Sequence, residues 1–151
     1  MWSVKDVKQE TLTGTAAFRL GTLGAITAEL FAERLAAHGL KPKHAGLLAL
    51  LDSGAAASQQ DIARTMRVTP SLVVGLADHL EELGAVTRER DPVDRRRQIL
   101  GLTALGRELL ARCTETASAI DEELTAGLDD AFRTNLRQTL AVLAARAGLP
   151  G

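Results

Sequence analysis

Two short stretches of apolar residues at helical spacing lie near the middle of the chain, between residues 58 and 84. Ser58 is suited to cap the first stretch, and Asp61 stands three residues later, as in a weaker form of the capping box. After a two-residue turn, Thr69 is suited to cap the second stretch, and Pro70 occupies its first position, where a missing N–H costs nothing. The pattern therefore predicts two helices joined by a tight turn.

A two-stranded ribbon is predicted directly after the second helix. Val86 to Glu89 and Gln98 to Leu102 are short runs able to pair, and Asp91-Pro92 favours a turn between them. Helix, turn, helix and ribbon in this order predict a winged helix-turn-helix, in which the ribbon is the wing. The predicted fold class is mostly α with a small β-wing.

The predicted wing is rich in arginine. Residues 84–97 contain five arginines and three acidic residues. Consecutive arginines repel one another unless an anion lies nearby, and the arginine side chain suits phosphate groups and the narrow minor groove of DNA. A solvated charged loop is the alternative interpretation. The arginines expected to reach phosphates and the minor groove are Arg88, Arg90, Arg95, Arg96 and Arg97.

The outer face of the second helix is the expected reader of DNA bases. Because Leu76 and its apolar neighbours turn inward, Pro70, Ser71, Val74, Gly75 and Asp78 turn outward. The N-terminal half of this face is small and nearly uncharged, so it can approach base edges, and Val74 is suited to meet a thymine methyl group. A surface helix in a bundle that binds no DNA is the alternative. Further predicted DNA contacts are Ser58, Gln59 and Gln60 at the start of the preceding helix, with Thr69 and His79 on the second helix.

Helices with apolar faces are predicted on both sides of this unit. The winged unit can cover only part of these faces, so a second copy of the chain is the straightforward partner, giving a two-fold dimer and a palindromic DNA site. A monomer with the helices folded back is the alternative. We expect one domain over residues 1–151, with flanking dimerisation helices at about 13–38 and 103–147 and the winged helix-turn-helix at about 42–103.

Overall charge does not indicate nucleic-acid binding, since the 151-residue chain has a net charge of −1. Basic charge is instead concentrated in the predicted wing. Cys113 is the only cysteine, so a disulfide within the chain is impossible, which suits a reducing cytoplasm. No apolar run approaches the roughly 20 residues needed to span a membrane, and we expect a cytoplasmic protein without membrane contact. Trp2 is expected either to pack on a partner subunit or to lie in a loosely ordered terminus.

No catalytic motif is present in the chain. The three histidines, His38, His44 and His79, lie in no nucleophile motif, and there is neither a glycine-rich phosphate loop nor an HExxH motif. We therefore expect no enzyme activity, no cofactor and no metal. Metal sensing, as in a different family of winged-helix proteins, is the alternative, but His38 and His44 alone do not make a metal site.

The predicted winged unit resembles a known family. From Leu76 to Leu109 the chain reads LADHLEELGAVTRERDPVDRRRQILGLTALGREL, which is similar to the multiple antibiotic resistance regulator (MarR) family of bacterial transcription factors. The resemblance implies that Asp94 helps to orient Arg96, which enters the minor groove, and that Asp78 pairs with a wing arginine. It also implies a homodimer. The most informative matching positions are Asp94-Arg95-Arg96, Leu102-Thr103 and Gly106.

Two positions depart from the family pattern. Many members carry Thr-Arg where this chain has Val74-Gly75, and Arg where it has His79. The base-reading chemistry is therefore reduced, and the resemblance transfers no target sequence.

The same resemblance implies a small effector. Many family members bind a small, often aromatic or phenolic anion between the dimer helices and the DNA-binding lobe, and Arg19, His38 and His44 are the polar candidates for such a site here. Arg19 as a surface residue and His44 as a hydrogen-bonded histidine at a helix start are the alternatives. Some members sense oxidation through a reactive cysteine, so Cys113 is either a redox sensor or a buried, inert thiol.

Taken together, the sequence is interpreted as a homodimeric, ligand-responsive transcriptional repressor that binds double-stranded DNA at a pseudo-palindromic operator. A winged-helix module that binds protein rather than DNA is the alternative from another class. Salt distinguishes the two, because neutralising phosphates must make affinity salt-dependent.

Overall fold

Six α-helices and one ribbon follow one another in the part of the chain that the structure describes. The computed structural model of the protein describes residues 11–54 and 57–149, so the expectation for Trp2 lies outside the described residues. The predicted fold class, mostly α with a small β-wing, is confirmed. The helices are α1 Ala16–Leu35, α2 Pro42–Ser53, α3 Gln59–Met66, α4 Pro70–Glu82, α5 Ala104–Leu124 and α6 Asp130–Arg146; the strands are β1 Val86–Arg90 and β2 Gln98–Leu102.

Side-chain caps start most of these helices. Each capping oxygen accepts a backbone N–H three residues later, which satisfies one donor that the first helical turn leaves free. The predicted caps at Ser58 and Thr69 are confirmed, and Thr103 and Asp129 cap α5 and α6. Helix α2 starts differently, since the His44 ring accepts the Lys41 backbone N–H.

The first long helix is shorter than the predicted span of residues 13–38. Thr15 caps α1 in an extended conformation (φ −71°, ψ 145°), so the α-helix cannot continue through it. Short 3₁₀ turns flank α1 at Leu12–Gly14 and Ala36–His38. Gly39 then ends the segment in the left-handed region at φ 68°, where glycine has no steric cost.

The hydrophobic core lies under the winged unit. Side chains from α1, α2, α3, α4 and β1 meet there with no exposed surface or almost none, and α5 adds Leu109 and Cys113. The largest fully buried side chains are Leu35, Leu40, Leu47, Leu48, Ile62, Val73, Leu80 and Val86. The core therefore holds α4 and the ribbon in one fixed arrangement.

The ribbon is anchored to its neighbours at both ends. Leu100 donates its backbone N–H to the carbonyl of Ala57 (2.8 Å), which ties β2 to the start of α3. At the other end α5 packs closely on the chain before β1, because a Cβ added at Gly106 would lie 2.1 Å from the carbonyl oxygen of Ala85. Glycine is therefore required at Gly106 for this packing.

The terminal helices remain largely uncovered by the rest of the chain. Helix α6 has no buried residue, and α1 buries only Leu35. The exposed large apolar side chains of these two helices are Phe18, Leu20, Leu23, Ile26, Phe132, Leu136, Leu140, Val142 and Leu143.

Candidate nucleic-acid interface

The outer face of α4 is open along its length. Its inner face is buried in the core through Val73, Leu76, Ala77 and Leu80. Thr69 and the five residues predicted to face outward, Pro70, Ser71, Val74, Gly75 and Asp78, are all exposed. The orientation predicted from the helical pattern is therefore confirmed.

Ser58 is a structural cap whose hydroxyl is already occupied. It is only 7% exposed, its Oγ donates to Asp61 Oδ2 at 2.7 Å, and it accepts the Asp61 backbone N–H at 3.1 Å. The hydrogen bond from Ser58, aided by Arg64 and Arg97, lowers the pKa of the Asp61 carboxyl. The expectation that Ser58 contacts DNA is corrected, because the residue is buried and its hydroxyl is engaged in the cap.

Arg88 is a brace inside the unit rather than a free wing arginine. Its Nη2 lies 2.6 Å from Asp78 Oδ1 and donates to the Val74 carbonyl at 3.1 Å. Its other nitrogens reach Glu81 and Gln59, each at 3.3 Å. Since the side chain is 18% exposed and its donors are engaged, Arg88 joins β1 to α3 and α4. The expectation that Arg88 itself reaches phosphate is corrected.

The wing tip is held by the two carboxylates that flank it. Asp94 Oδ1 accepts the Arg96 backbone N–H at 3.1 Å, and Asp91 Oδ1 accepts the Val93 backbone N–H at 2.8 Å. Backbone hydrogen bonds close the loop from Asp91 to Arg97 and from Arg97 to Asp94. The three arginines exposed around this ordered tip, with no ion-pair partner within residues 11–54 and 57–149, are Arg90, Arg95 and Arg96.

A basic groove joins the wing to the helix-turn-helix. Three arginines line it: Arg64 from α3, Arg67 from the turn and Arg97 from the wing base. Arg64 forms an ion pair with Asp61, and Arg97 lies 3.9 Å from the same carboxylate, so Asp61 offsets part of the charge. The groove is also lined by exposed Gln60, by the first residue of α4, Pro70, and by Ala63 and Val68.

Arg64 and Arg67 were missed by the sequence reasoning. Arg67 lies in the two-residue turn, where it takes a left-handed conformation at φ 54°, and its Nη2 donates to the Ala147 carbonyl at 2.9 Å. The sequence does show two basic residues beside the tight turn, which could have indicated their role. Only folding brings these two arginines next to Arg97 of the wing.

The comparisons with known proteins agree with this geometry. A family model described as MarR family matches residues 38–97, which hold α2, α3, α4 and most of the wing. A MarR-family transcriptional regulator from Rhodococcus sp. RHA1 is 30% identical, with a TM-score of 0.78, over 89% of this chain and 96% of that one. This chain belongs to the MarR family.

The names of other similar proteins state what those proteins bind or regulate. CouR of Rhodococcus jostii RHA1, a transcriptional repressor, is 31% identical in a form bound to a 23-mer DNA duplex (TM-score 0.74, 93% of this chain and 99% of that one). Its form bound to p-coumaroyl-CoA is 28% identical, with a TM-score of 0.73, over 89% of this chain and 95% of that one. A proposed regulator of the hcr operon from Thauera aromatica is 35% identical over 98 residues, or 65% of this chain and 59% of the relative. The chain spans about three fifths of the length of the two curated relatives that it matches.

Two features implied by the MarR resemblance are visible in the geometry. Asp78 pairs with the wing residue Arg88, and Asp94 fixes the backbone of Arg96. His79 differs from the expectation of a DNA contact: its Nε2 lies 2.7 Å from the Gly39 carbonyl oxygen, and its ring centroid lies 4.7 Å from that of His44. The side chain of His79 is therefore turned towards α2, away from the outer face of α4.

The three predicted effector candidates do not form one site. Arg19 donates through Nε to the Thr13 carbonyl (3.1 Å), and His38 lies in the 3₁₀ turn after α1. His44 is buried and hydrogen-bonded to the Lys41 backbone N–H, as its structural alternative stated. Burial, together with the charges of His79 and Lys41, lowers the pKa of His44 to about 4. His44 is therefore neutral at pH 7.

Of these candidates, His44 lines a cavity. This cavity, of about 780 Å³, lies between α2 and α4 and is also lined by Lys41, Lys43 and His79. Its apolar wall on α4 comes from Leu72, Gly75 and Leu76. An occupant of this cavity would touch α4 directly.

Cys113 is buried on α5, with 3% of its surface exposed. Burial raises the pKa of the thiol, so the reactive thiolate is disfavoured. In the described part of the chain, no group of three or more His, Cys, Asp or Glu side chains is placed to hold a metal ion. Likewise, none of the described helices has both the length and the apolarity that crossing a membrane requires.

Proposed function

We propose that the chain is a transcriptional repressor that binds double-stranded DNA as a homodimer. The observation that carries the proposal is the basic groove, in which α3, the turn, the start of α4 and the wing base meet on one surface. Arginine guanidinium groups recognise phosphate with paired hydrogen bonds. The DNA-bound form of the repressor CouR, at 31% identity, supports the same role.

Each element of the winged unit has its own role in binding DNA. The exposed face of α4, with Thr69, Pro70, Ser71, Val74, Gly75 and Asp78, lies in the major groove. Arg90, Arg95 and Arg96 reach phosphates and the minor groove from the wing tip, while Gln60, Arg64, Arg67 and Arg97 contact the backbone beside α4. Because backbone contacts position a protein and base contacts specify the sequence, the small face of α4 supplies most of the direct reading.

Arg88 acts as a positioning residue in this scheme. It fixes the angle between the wing and α4 through Asp78 and the Val74 carbonyl. Gln59, which accepts a hydrogen bond from Arg88, supports the same brace rather than DNA.

Dimerisation rests on the uncovered terminal helices. The apolar side chains of α1 and α6 form surfaces of a kind that monomers rarely leave in water. A two-fold dimer covers them and presents two α4 helices to one face of DNA, with half-sites about 34 Å apart. The expected operator is therefore a pseudo-palindrome.

Binding to the intergenic DNA upstream of the chain's own gene, over a salt series, tests the proposal. We expect protection of a pseudo-palindrome and an affinity that falls steeply as salt rises, because bound phosphates release counterions. Failure on that DNA and on a pool of genomic fragments would reject DNA binding. A protein partner whose affinity barely depends on salt would then support the protein-interaction module.

The effector proposed here is a small aromatic anion held in the cavity between α2 and α4. Lys41 and Lys43 supply positive charge, and Leu72 and Leu76 supply an apolar wall. CouR bound to p-coumaroyl-CoA supports this class of ligand. An anion that fits better when α4 is displaced lowers DNA affinity by shifting the population of conformations.

The probes for this site are p-coumaroyl-CoA and free p-coumarate, titrated into the protein–DNA complex. Release of DNA by either probe, weakened in Lys41→Gln and in Lys43→Gln but not in the control Arg112→Gln, which is exposed on α5 and outside the cavity lining, would locate the anion in this cavity. Release that is equal in both lysine variants and in the unchanged protein would reject this cavity.

A further inference from the structure

The tip of the wing presents an apolar side chain among its arginines. Val93 is 94% exposed, more than any other large apolar side chain within residues 11–54 and 57–149. Arg90, Arg95 and Arg96 are exposed on either side of it in sequence. Val93 belongs neither to the buried core nor to the apolar side chains packed against it, so its side chain has no packing role there.

The loop that carries Val93 is ordered despite this exposure. The Val93 backbone N–H donates to Asp91 Oδ1 at 2.8 Å, and the Arg96 backbone N–H donates to Asp94 Oδ1 at 3.1 Å. The loop is closed by hydrogen bonds from the Asp91 N–H to the Arg97 carbonyl at 3.0 Å and from the Arg97 N–H to the Asp94 carbonyl at 2.9 Å. Val93 is thus held in one place, and a ligand that meets it does not have to order the loop.

The chemistry of the minor groove gives such a side chain something to distinguish. The guanine 2-amino group is the one donor on the minor-groove floor, and A·T pairs lack it. A valine methyl placed against that amino group would remove it from water and offer no acceptor in return, which is unfavourable. Against an A·T pair, no donor is left unpaired.

We propose that Val93 is a specificity-determining residue that makes the wing select base pairs without a guanine 2-amino group. The inference rests on the proposed function, in which the wing arginines bring the tip to the minor groove. The arginines supply affinity that depends on charge and groove width, and Val93 adds discrimination at the base pairs beneath the tip. The preferred DNA accordingly has A·T pairs where the two wings touch it.

The base pairs under the wing must first be located. Because Cys113 is the only cysteine and is buried, Val93→Cys offers one exposed thiol for a tethered iron chelate that cleaves nearby DNA. The DNA is a duplex selected from a random-sequence pool by the unchanged protein. The cleaved positions mark the base pairs to be altered.

Inosine then tests the role of the amino group, since an inosine·cytosine pair differs from G·C only by its absence. At a cleaved position we expect the unchanged protein to bind the inosine duplex roughly fivefold to tenfold more tightly than the guanine duplex. Val93→Thr keeps the shape but adds a hydroxyl that accepts a hydrogen bond from the amino group, and its preference should fall within about twofold. As a control, the same replacement under α4 should affect both proteins equally.

The outcomes separate this inference from the proposed function. If both proteins bind DNA and prefer inosine equally, Val93 does not discriminate and this inference alone is overturned. If the unchanged protein selects no duplex from the pool, DNA binding itself is rejected, and the inference is rejected with it.

Discussion

Helices α4 and α6 have apolar residues at the same helical spacing but very different surroundings. On α4, Val73 and Leu80 are fully buried, whereas on α6, Phe132 is 64% exposed and Leu136 is 44% exposed. The partners of α4 lie in its own chain, in α2, α3 and the wing. The apolar side of α6 has no such cover, which is why we assign it to a second copy. A periodic apolar face predicts that something packs there but does not identify the partner.

The largest expected effect comes from placing charge on the apolar face of α6. The double variant Leu136→Glu and Leu140→Glu should be monomeric and lose DNA affinity by a factor on the order of 10² to 10⁴, because the second half-site no longer adds to the binding of the first. Sedimentation and DNA titration measure the two effects. The double variant Gln138→Glu and Ala145→Glu is the matched control, since both residues are exposed but lie on the opposite side of the helix from this face. An unchanged dimer in the double variant would contradict our assignment of α6.

A truncation in the core of the winged unit should act on stability instead. Leu80→Ala should lower the free energy of unfolding by about 2–5 kcal/mol, because it leaves a cavity under α4. Urea unfolding at several protein concentrations provides the measurement. Leu140→Ala is the counterpart on α6, and its cost should depend on protein concentration because the contact it removes belongs to the dimer. If both substitutions lowered the free energy of unfolding equally and independently of protein concentration, the proposed difference between α4 and α6 would be refuted.

A third prediction concerns the pH dependence of unfolding, which follows from the burial of His44 on α2. In the unfolded chain His44 has its ordinary pKa near 6.5, and in the folded chain its pKa is about 4. Protons therefore bind the unfolded state more readily, and stability should fall as the pH drops from about 6.5 to 4, by on the order of 3 kcal/mol. His44→Gln retains a side-chain acceptor for the Lys41 N–H and should flatten the pH dependence of unfolding in this range. A slope that is the same with and without the histidine would refute the argument.

The smallest expected effect compares two arginines of the wing. Arg96→Gln at the exposed tip should weaken DNA binding roughly tenfold and reduce the salt slope by about one unit, with unfolding unchanged. Arg88→Gln should instead lower stability as well as affinity, because Asp78 loses its partner. Thermal unfolding and salt-dependent titration distinguish the two. Loss of stability in Arg96→Gln, or full DNA affinity, would refute the proposed role of the tip.

These contrasts show which structural features can be predicted from residues that are close together in the sequence. The helix starts at Ser58, Thr69 and Thr103 were predictable because a cap and its N–H partner are three residues apart. The wing was predictable because pairing runs and turn residues are also adjacent. Thr15 was missed, since an apolar pattern continues through a position whose backbone is extended.

The candidate site was predicted less completely than the fold. The exposed face of α4 follows from helical periodicity, and it was predicted correctly. The role of Arg88 was not, because its four partners lie 7 to 29 residues away in the chain. His79 was expected to contact DNA, yet it lies seven residues after Leu72, beside the apolar side of α4, and its ring reaches Gly39. The partners of both side chains lie on other elements, which spacing along one helix does not reveal.

The sequence by itself determined the order of the elements, the buried side of α4 and the family to which the chain belongs. Those features depend on residues within one or two turns of one another, or on a motif read in a single run. Only the tertiary structure decided which arginines are free, because ion pairing depends on distances between elements. It tied Arg88 to Asp78, and it left Arg95 and Arg96 exposed. Identical side chains a few residues apart thus have different roles, since their charges meet a carboxylate in one case and open solvent in the other.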